Sequence, residues 1–167
     1  FTDNNGITHP QVWARWSDDK KKAIGLTFVD DPKAWDDRFY SGWNSGEIAL
    51  IERNIEDINE VDSEGKAVLD ADGKQNIILG LKSLAIRRTK ETAGSLLSQT
   101  DWYVTRKAEA GKAIPDTVGN YRTAVRAKSK TIEDAITACN THAKFMALYD
   151  IPDGGKVAPI NDWPDEI

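Results

Sequence analysis

The spacing of apolar residues predicts two different parts of this 167-residue chain, which meet near residue 80. Before that point the apolar runs are short and are broken by Gly, Pro and Asp, a pattern typical of short strands. Strands are predicted over residues 26–29, 38–43, 49–51 and 55–61. A short helix is predicted from an N-cap at Ser17 to a stop at Gly25, because acidic residues open this segment and lysines close it.

Two similar turns follow the last of these strands. They run from Asp62 to Lys66 and from Asp70 to Lys74, and they are offset by eight residues. Glycine accepts the positive φ that tight hairpin turns need, and each turn carries a glycine after an acidic residue. The pattern predicts a meander of two or three strands.

Beyond residue 80 the apolar residues recur at spacings of three and four, which predicts helices. These are expected over about 82–97, 105–111, 115–128 and 131–149, the last opening with a capping-box-like pattern at Thr131. The predicted fold class is therefore α+β. It comprises a β-rich part over 1–80, a helical domain of three to four helices over 81–150, and an extended tail over 151–167.

Composition limits the classes of function. Hydrophobic residues make up 40% of the chain and charged residues 29%, as in ordinary soluble domains. A net charge of -5 disfavours nucleic acid as a partner. The chain has no apolar run of 18 residues and opens without the regions of a signal peptide, so we expect neither a membrane span nor export by that route.

Acidic turns suggest calcium, but the spacing argues against it. With Gly65 at the turn position of an EF-hand loop, Glu60, Asp62 and Glu64 could be ligands, yet the closing position is Ala71. We therefore expect solvated hairpin turns.

Cys139 and His142 lie three residues apart and could begin a metal or nucleophile site. Zinc needs three or four ligands, and the chain has no other cysteine and only one other histidine, His9. We expect Cys139 in a core and His142 on the surface. Neighbouring carboxylates such as Asp36–Asp37 could serve a glycan hydrolase, but adjacent acids in turns are typically solvated caps. No phosphate loop, nucleophile elbow or dinucleotide fingerprint occurs. We predict no catalytic residue, cofactor or metal, and no enzyme activity.

Aromatic and basic residues in the helical part are the remaining candidates for contact with a partner, because such residues anchor interfaces as well as cores. Both roles stay open for Trp102, Tyr103, Tyr121, Arg122, Arg126 and Trp163.

Over roughly residues 82–164, the order of motifs resembles the tail assembly chaperones and tail-fibre assembly proteins of tailed bacteriophages. The motifs are 96–102 (LLSQTDW), Pro115, 121–126 (YRTAVR) and 163–164 (WP). The front of the chain is similar to related phage proteins in 9–10 (HP) with Trp13, 23–25 (AIG), 30–32 (DDP) and 37–40 (DRFY). The two acidic turns and a longer segment after Trp102 depart from the pattern.

The resemblance implies a non-enzymatic protein that binds tail-fibre or baseplate components and assists their assembly, in multiple copies and without nucleic acid or membrane. It implies a location in the virion tail or in the host cytoplasm during assembly. One alternative is a permanent baseplate or fibre-attachment adaptor, and a glycan hydrolase of the tail is the other.

Overall fold

The computed structural model describes residues 2–3, 5–9, 12, 15–26, 35–44 and 49–167. The chain forms two compact units, Phe1–Ala34 and Trp35–Ile167. Helices and short antiparallel strands both occur, so the predicted mixed α+β class is confirmed. The strand predicted at 26–29 falls, after Leu26, outside the described residues, and so does Trp13.

The described part of the first unit contains one helix and one side-chain-stabilised turn. Helix α1 spans Asp18–Ala23, as predicted, although the Ser17 side chain makes no capping hydrogen bond. In the turn, the Asp3 carboxylate accepts the backbone N–H groups of Asn5 and Ile7, both at 2.9 Å. Asp3 Oδ2 also lies 2.8 Å from Nε2 of His9. These hydrogen bonds, the one from His9 foremost, hold the pKa of Asp3 below its usual value.

Two pairs of short antiparallel strands precede the long helices of the second unit. Strand β1 (Tyr40–Trp43) pairs with β2 (Leu50–Glu52), with a bulge after Tyr40. Strand β3 (Ile58–Asn59) pairs with β4 (Ile77–Ile78). The strands predicted at 38–43 and 55–61 are therefore found in shorter form, and the one predicted at 49–51 is found one residue later.

Four α-helices and a 3-10 turn follow. They are α2 (Leu81–Ser98), α3 (Asp101–Ala110), α4 (Asp116–Ala138) and α5 (His142–Ala147), with the 3-10 turn at Pro159–Asn161.

The prediction of a helix start at Thr131 is wrong. Thr131 lies inside α4, and its hydroxyl donates to the carbonyl of Ala127 one turn earlier. No helix-breaking residue separates the two predicted segments, and buried Ile132 and Ile136 continue the apolar stripe of α4 along one face.

The start of α2 is held by the segment before β3. Asp57 Oδ1 accepts the Gly80 N–H at 2.7 Å, and Asp57 Oδ2 accepts the Ser83 hydroxyl at 2.9 Å. Asp57 thus holds the N-cap residue itself, whereas the first two N–H groups of α2 donate to the backbone carbonyls of residues 54 and 55, at 2.9 and 3.1 Å. A Cβ at Gly80 would lie 2.4 Å from the backbone of Glu56, so only glycine fits there.

Helices α2 and α4 pack antiparallel and form the core. The first cluster joins Leu81 and Ala85, near the start of α2, to Ile132 and Ile136, near the end of α4. The second joins Ala93, near the end of α2, to residues near the start of α4. Residue 80, the predicted domain boundary, directly precedes α2, and both sides of it belong to the unit Trp35–Ile167.

Strand β1 and helix α5 complete the first cluster. Phe39 packs edge-on against Phe145, with ring centroids 6.2 Å apart. Cys139 is buried there, as predicted, and burial raises the pKa of its thiol.

The surface position predicted for His142 is wrong. Its ring is buried, with Nε2 2.9 Å from the Phe39 carbonyl oxygen and Nδ1 3.4 Å from Glu52 Oε1. The residues that enclose it come from the first strand pair, about a hundred positions earlier in the chain.

Part of the predicted tail, 151–167, returns to the helices. Ala158 is buried, and Lys128 of α4 forms an ion pair with Asp162. Trp163 is half-buried and packs against both core clusters. These contacts fix residues 158–163 along the α2–α4 pair.

Candidate interaction surface

Arg122 binds the junction between α2 and α3. Its Nη1 donates to the Leu97 carbonyl at 2.8 Å and to the Thr100 hydroxyl oxygen at 2.7 Å, and its Nη2 lies 2.9 Å from Asp101 Oδ1. Leu97 lies in the last turn of α2, whereas Asp101 begins α3, so one guanidinium joins both helix ends. The side chain is buried, which places Arg122 within the fold and away from the surface.

Tyr121 also lies inside the protein. It is 5% exposed, in the second core cluster with Ala93 and Val125, and burial raises the pKa of its phenol. Its hydroxyl is one of the buried polar atoms without a hydrogen-bond partner among the described residues. The position of Tyr121 suits packing. Arg126, one turn further along α4, is exposed, and its guanidinium donates to the Arg122 carbonyl over a long distance of 3.4 Å.

Helix α3 differs from the other long helices because it buries none of its residues. Trp102 is 52% exposed and Val104 is 41% exposed, while Tyr103 is half-buried. The helix begins at Asp101, earlier than the predicted start at Thr105, so both aromatic residues stand on the helix itself.

Two aromatic rings and a guanidinium form a cluster on α3. The ring centroids of Trp102 and Tyr103 are 3.8 Å apart. Cζ of Arg106 lies 4.7 Å from the Trp102 centroid and 5.1 Å from that of Tyr103. Because residues three and four apart face each other on a helix, Arg106 can cover both rings. We call Trp102, Tyr103 and Arg106 the aromatic face of α3.

The structure therefore separates the six predicted contact residues. Tyr121 and Arg122 are internal, Trp163 fills the space between the two core clusters, and Trp102, Tyr103 and Arg126 reach the surface. Arg106 was absent from the sequence-based candidates. Its spacing of three and four from the aromatic pair would have identified it, had the helix been predicted to start at Asp101.

No group of three or more His, Cys, Asp or Glu side chains in the described part of the chain is arranged to hold a metal ion. None of the helices that the structure describes has the length and apolar character needed to cross a membrane.

Comparison of the chain with protein-family models, with curated proteins and with solved structures finds no match.

Proposed function

We propose that this chain is a non-enzymatic, tail-associated protein of a bacteriophage. It binds tail-fibre or distal tail and baseplate components, in multiple copies, and assists their assembly in the host cytoplasm. In the alternative form of the proposal it stays in the virion as an adaptor. The motif order described above suggests the setting, and the aromatic face of α3 is the surface that best supports binding.

The exposure of Trp102 is the observation that carries this proposal. A tryptophan that is 52% exposed on a helix without buried residues leaves a large apolar ring available to a partner. Buried tryptophans and arginines are the commonest energetic centres of protein interfaces. Here the indole is already held by Tyr103 and Arg106, so little side-chain freedom remains to be lost on binding.

The anchoring of α3 supports the same proposal. Arg122 fixes the start of the helix, and Gly111, with a φ of 67°, ends it in the left-handed conformation that glycine favours. A short helix with little packing of its own is thereby held in a defined position. This is the arrangement expected of a preformed contact surface.

The proposal is tested by affinity capture of the separately purified tail proteins of the same virus. The wild-type chain is expected to retain a tail-fibre or baseplate protein. Trp102→Ala should weaken that binding by roughly 30-fold, as for the loss of one interface anchor. The matched control is Trp43→Ala, since Trp43 is 45% exposed in the same unit but lies on β1.

Two results would count against the proposal: no tail protein is retained by the wild-type chain, or the two tryptophan variants bind equally well. Circular dichroism of each variant establishes that the helices are intact. Mass spectrometry of purified particles then distinguishes the two forms, because an adaptor is present at a fixed copy number and a transient chaperone is absent.

A further inference from the structure

Residues 58–78 form a closed ring of backbone hydrogen bonds, which we call the β ring. The N–H of Val68 donates to the Glu60 carbonyl at 3.0 Å, and the N–H of Asn76 donates to the Val68 carbonyl at 2.8 Å. The N–H of Glu60 then donates to the Asn76 carbonyl at 2.9 Å and closes the ring. These three residues are spaced by eight. The β ring therefore consists of two eight-residue units, which begin at Glu60 and Val68, and a shorter third unit formed by the two ends of the segment, 58–59 and 76–78.

The strand pairing repeats with the same spacing. Val61 pairs with Ala67, and Leu69 pairs with Gln75, both in antiparallel bridges. The third unit completes the cycle through β3 and β4, where Ile77 pairs with Asn59. Three equivalent pairs and three equivalent hydrogen bonds give the β ring an approximate threefold axis, which an open meander would lack.

The Gln75 side chain marks this axis. Its Nε2 lies within hydrogen-bond distance of the carbonyl oxygens of Glu60, Val68 and Asn76, at 2.8, 3.2 and 2.9 Å. One nitrogen that is nearly equidistant from three symmetry-related carbonyls must lie close to the axis. The Gln75 side chain therefore joins the three units by hydrogen bonds at the centre of the β ring.

The two acidic turns are equivalent as well. In each, the aspartate Oδ1 accepts two backbone N–H groups at 2.9 Å, those of Glu64 and Lys66 for Asp62, and the corresponding pair for Asp70. Gly65 and Gly73 have φ of 79° and 78°. The third unit has no such turn, because the chain enters it through β3 and leaves it through β4 towards α2.

Each unit presents an exposed apolar side chain at the same position, and the third unit also exposes Ile58 (40%) and Ile78 (49%). Val61 and Leu69 are each 55% exposed, and Ile77 is 56% exposed. Single exposed apolar residues are ordinary, but these three occupy positions related by the approximate threefold axis and have nearly equal exposure. We call Val61, Leu69 and Ile77 the apolar triangle. In the segment 60–74, which carries two of these residues, five acidic residues outnumber two lysines: Glu60, Asp62, Glu64, Asp70 and Asp72 against Lys66 and Lys74.

We propose that the apolar triangle docks on the threefold axis of a homotrimeric tail component, at an end that presents apolar side chains surrounded by basic residues. A homotrimer offers three copies of one apolar pocket, so each member of the triangle meets the same surroundings. A monomer would need three separate pockets, and a dimer would leave one member unmatched. The acidic residues of the β ring favour a basic rim on the partner and steer the encounter.

This inference rests on the proposed function for the identity of the partner, but it uses a different surface from α3. The test uses three single variants, Val61→Ser, Leu69→Ser and Ile77→Ser, and the triple variant. These changes leave the backbone hydrogen bonds of the β ring in place. Ile151→Ser is the control, because Ile151 is 63% exposed outside the β ring.

Native mass spectrometry with each purified tail protein should find one chain per three subunits of a homotrimer. Each single variant should weaken binding by about the same factor, roughly tenfold, and the triple variant should abolish it. Ile151→Ser should bind as the wild type does.

Other stoichiometries and patterns overturn the inference. The inference is wrong if one chain binds to each subunit of the trimer, or if the three variants abolish binding to a monomeric or dimeric partner. It is also wrong if the triangle mediates self-association of this chain, or if the triple variant binds its partner as the wild type does. If Trp102→Ala weakens binding to a tail protein and the triple variant does not, the proposed function is supported and the docking of the triangle is refuted. If the wild-type chain binds no tail protein, both the proposed function and the docking of the triangle are refuted.

Discussion

Replacing Arg122 with methionine should destabilise the protein through the junction of α2 and α3. Methionine keeps most of the apolar stem but removes two hydrogen bonds, to the Leu97 carbonyl and to the Thr100 hydroxyl. Hydrogen bonds from charged groups contribute about 1.5 to 3 kcal/mol each. The contact with Asp101 adds little, because that carboxylate is 60% exposed.

The expected loss is at the lower end of the sum of the two bonds. The Leu97 carbonyl still accepts the N–H and the hydroxyl of Thr100, at 3.1 and 3.0 Å, so no buried acceptor is left unpaired. We expect a loss of about 3 to 4 kcal/mol in the free energy of unfolding. That corresponds to a fall of roughly 10 °C in Tm for a chain of this size.

Urea unfolding followed by circular dichroism measures this loss, and Arg126→Met is the matched control. Arg126 is one turn away on the same helix, exposed, and should change the free energy of unfolding by less than about 0.5 kcal/mol. Amide exchange in α3 should also accelerate in Arg122→Met alone. Equal destabilisation by the two variants, or a loss below about 1 kcal/mol for Arg122→Met, would refute the role assigned to the guanidinium.

Three further predictions concern the turns and the β ring. Gly80→Ala should lower the free energy of unfolding, measured by thermal unfolding, by more than about 3 kcal/mol, because the added Cβ would lie 2.4 Å from the Glu56 backbone. An unchanged stability would contradict that close approach. Gln75→Leu should lower the free energy of unfolding, measured in urea, by about 1 to 2 kcal/mol, since it removes the donor shared by three carbonyls. Unchanged stability would argue against a structural role for the amide. The folded-state pKa of Asp3 is lowered, so the stabilisation from its ionised carboxylate is present above the ordinary carboxyl pKa and is lost as the pH falls through the lowered pKa. NMR titration of Asp3 should show a low midpoint, which rises towards the ordinary value in His9→Ala. An unchanged midpoint would contradict the effect of His9.

Elements set by local interactions could be predicted from the sequence. The turns at Asp62 and Asp70 are specified by hydrogen bonds that reach only two to four residues ahead, and the glycines follow from the required φ. The apolar stripe of α2 likewise predicted that helix, Leu81–Ser98, to within a residue or two. In both cases the deciding groups lie within one turn of each other.

Features that depend on distant partners could not be predicted in this way. His142 is buried because the Phe39 carbonyl lies 2.9 Å from its ring, and nothing near His142 in the chain indicates this. Arg122 was proposed as a contact residue because of its place in a basic helix, yet its acceptors lie 22 and 25 positions earlier. The eight-residue repeat was visible in the sequence, but its closure depends on the third unit, which lacks the acidic turn.

The closed β ring limits how this part of the chain can change in length. An open meander can gain or lose a strand pair at its end, but a ring of three units has no free end at which a unit could be added. Deletion of the unit 60–67 would leave Gln75 only the Val68 and Asn76 carbonyls and no pseudo-threefold axis, whereas duplication of a unit would require a wider ring. Because the third unit leads directly into α2, either change would also alter where that helix begins and which face it turns towards α4. Insertions in this region should therefore be tolerated only at the tips of the two turns.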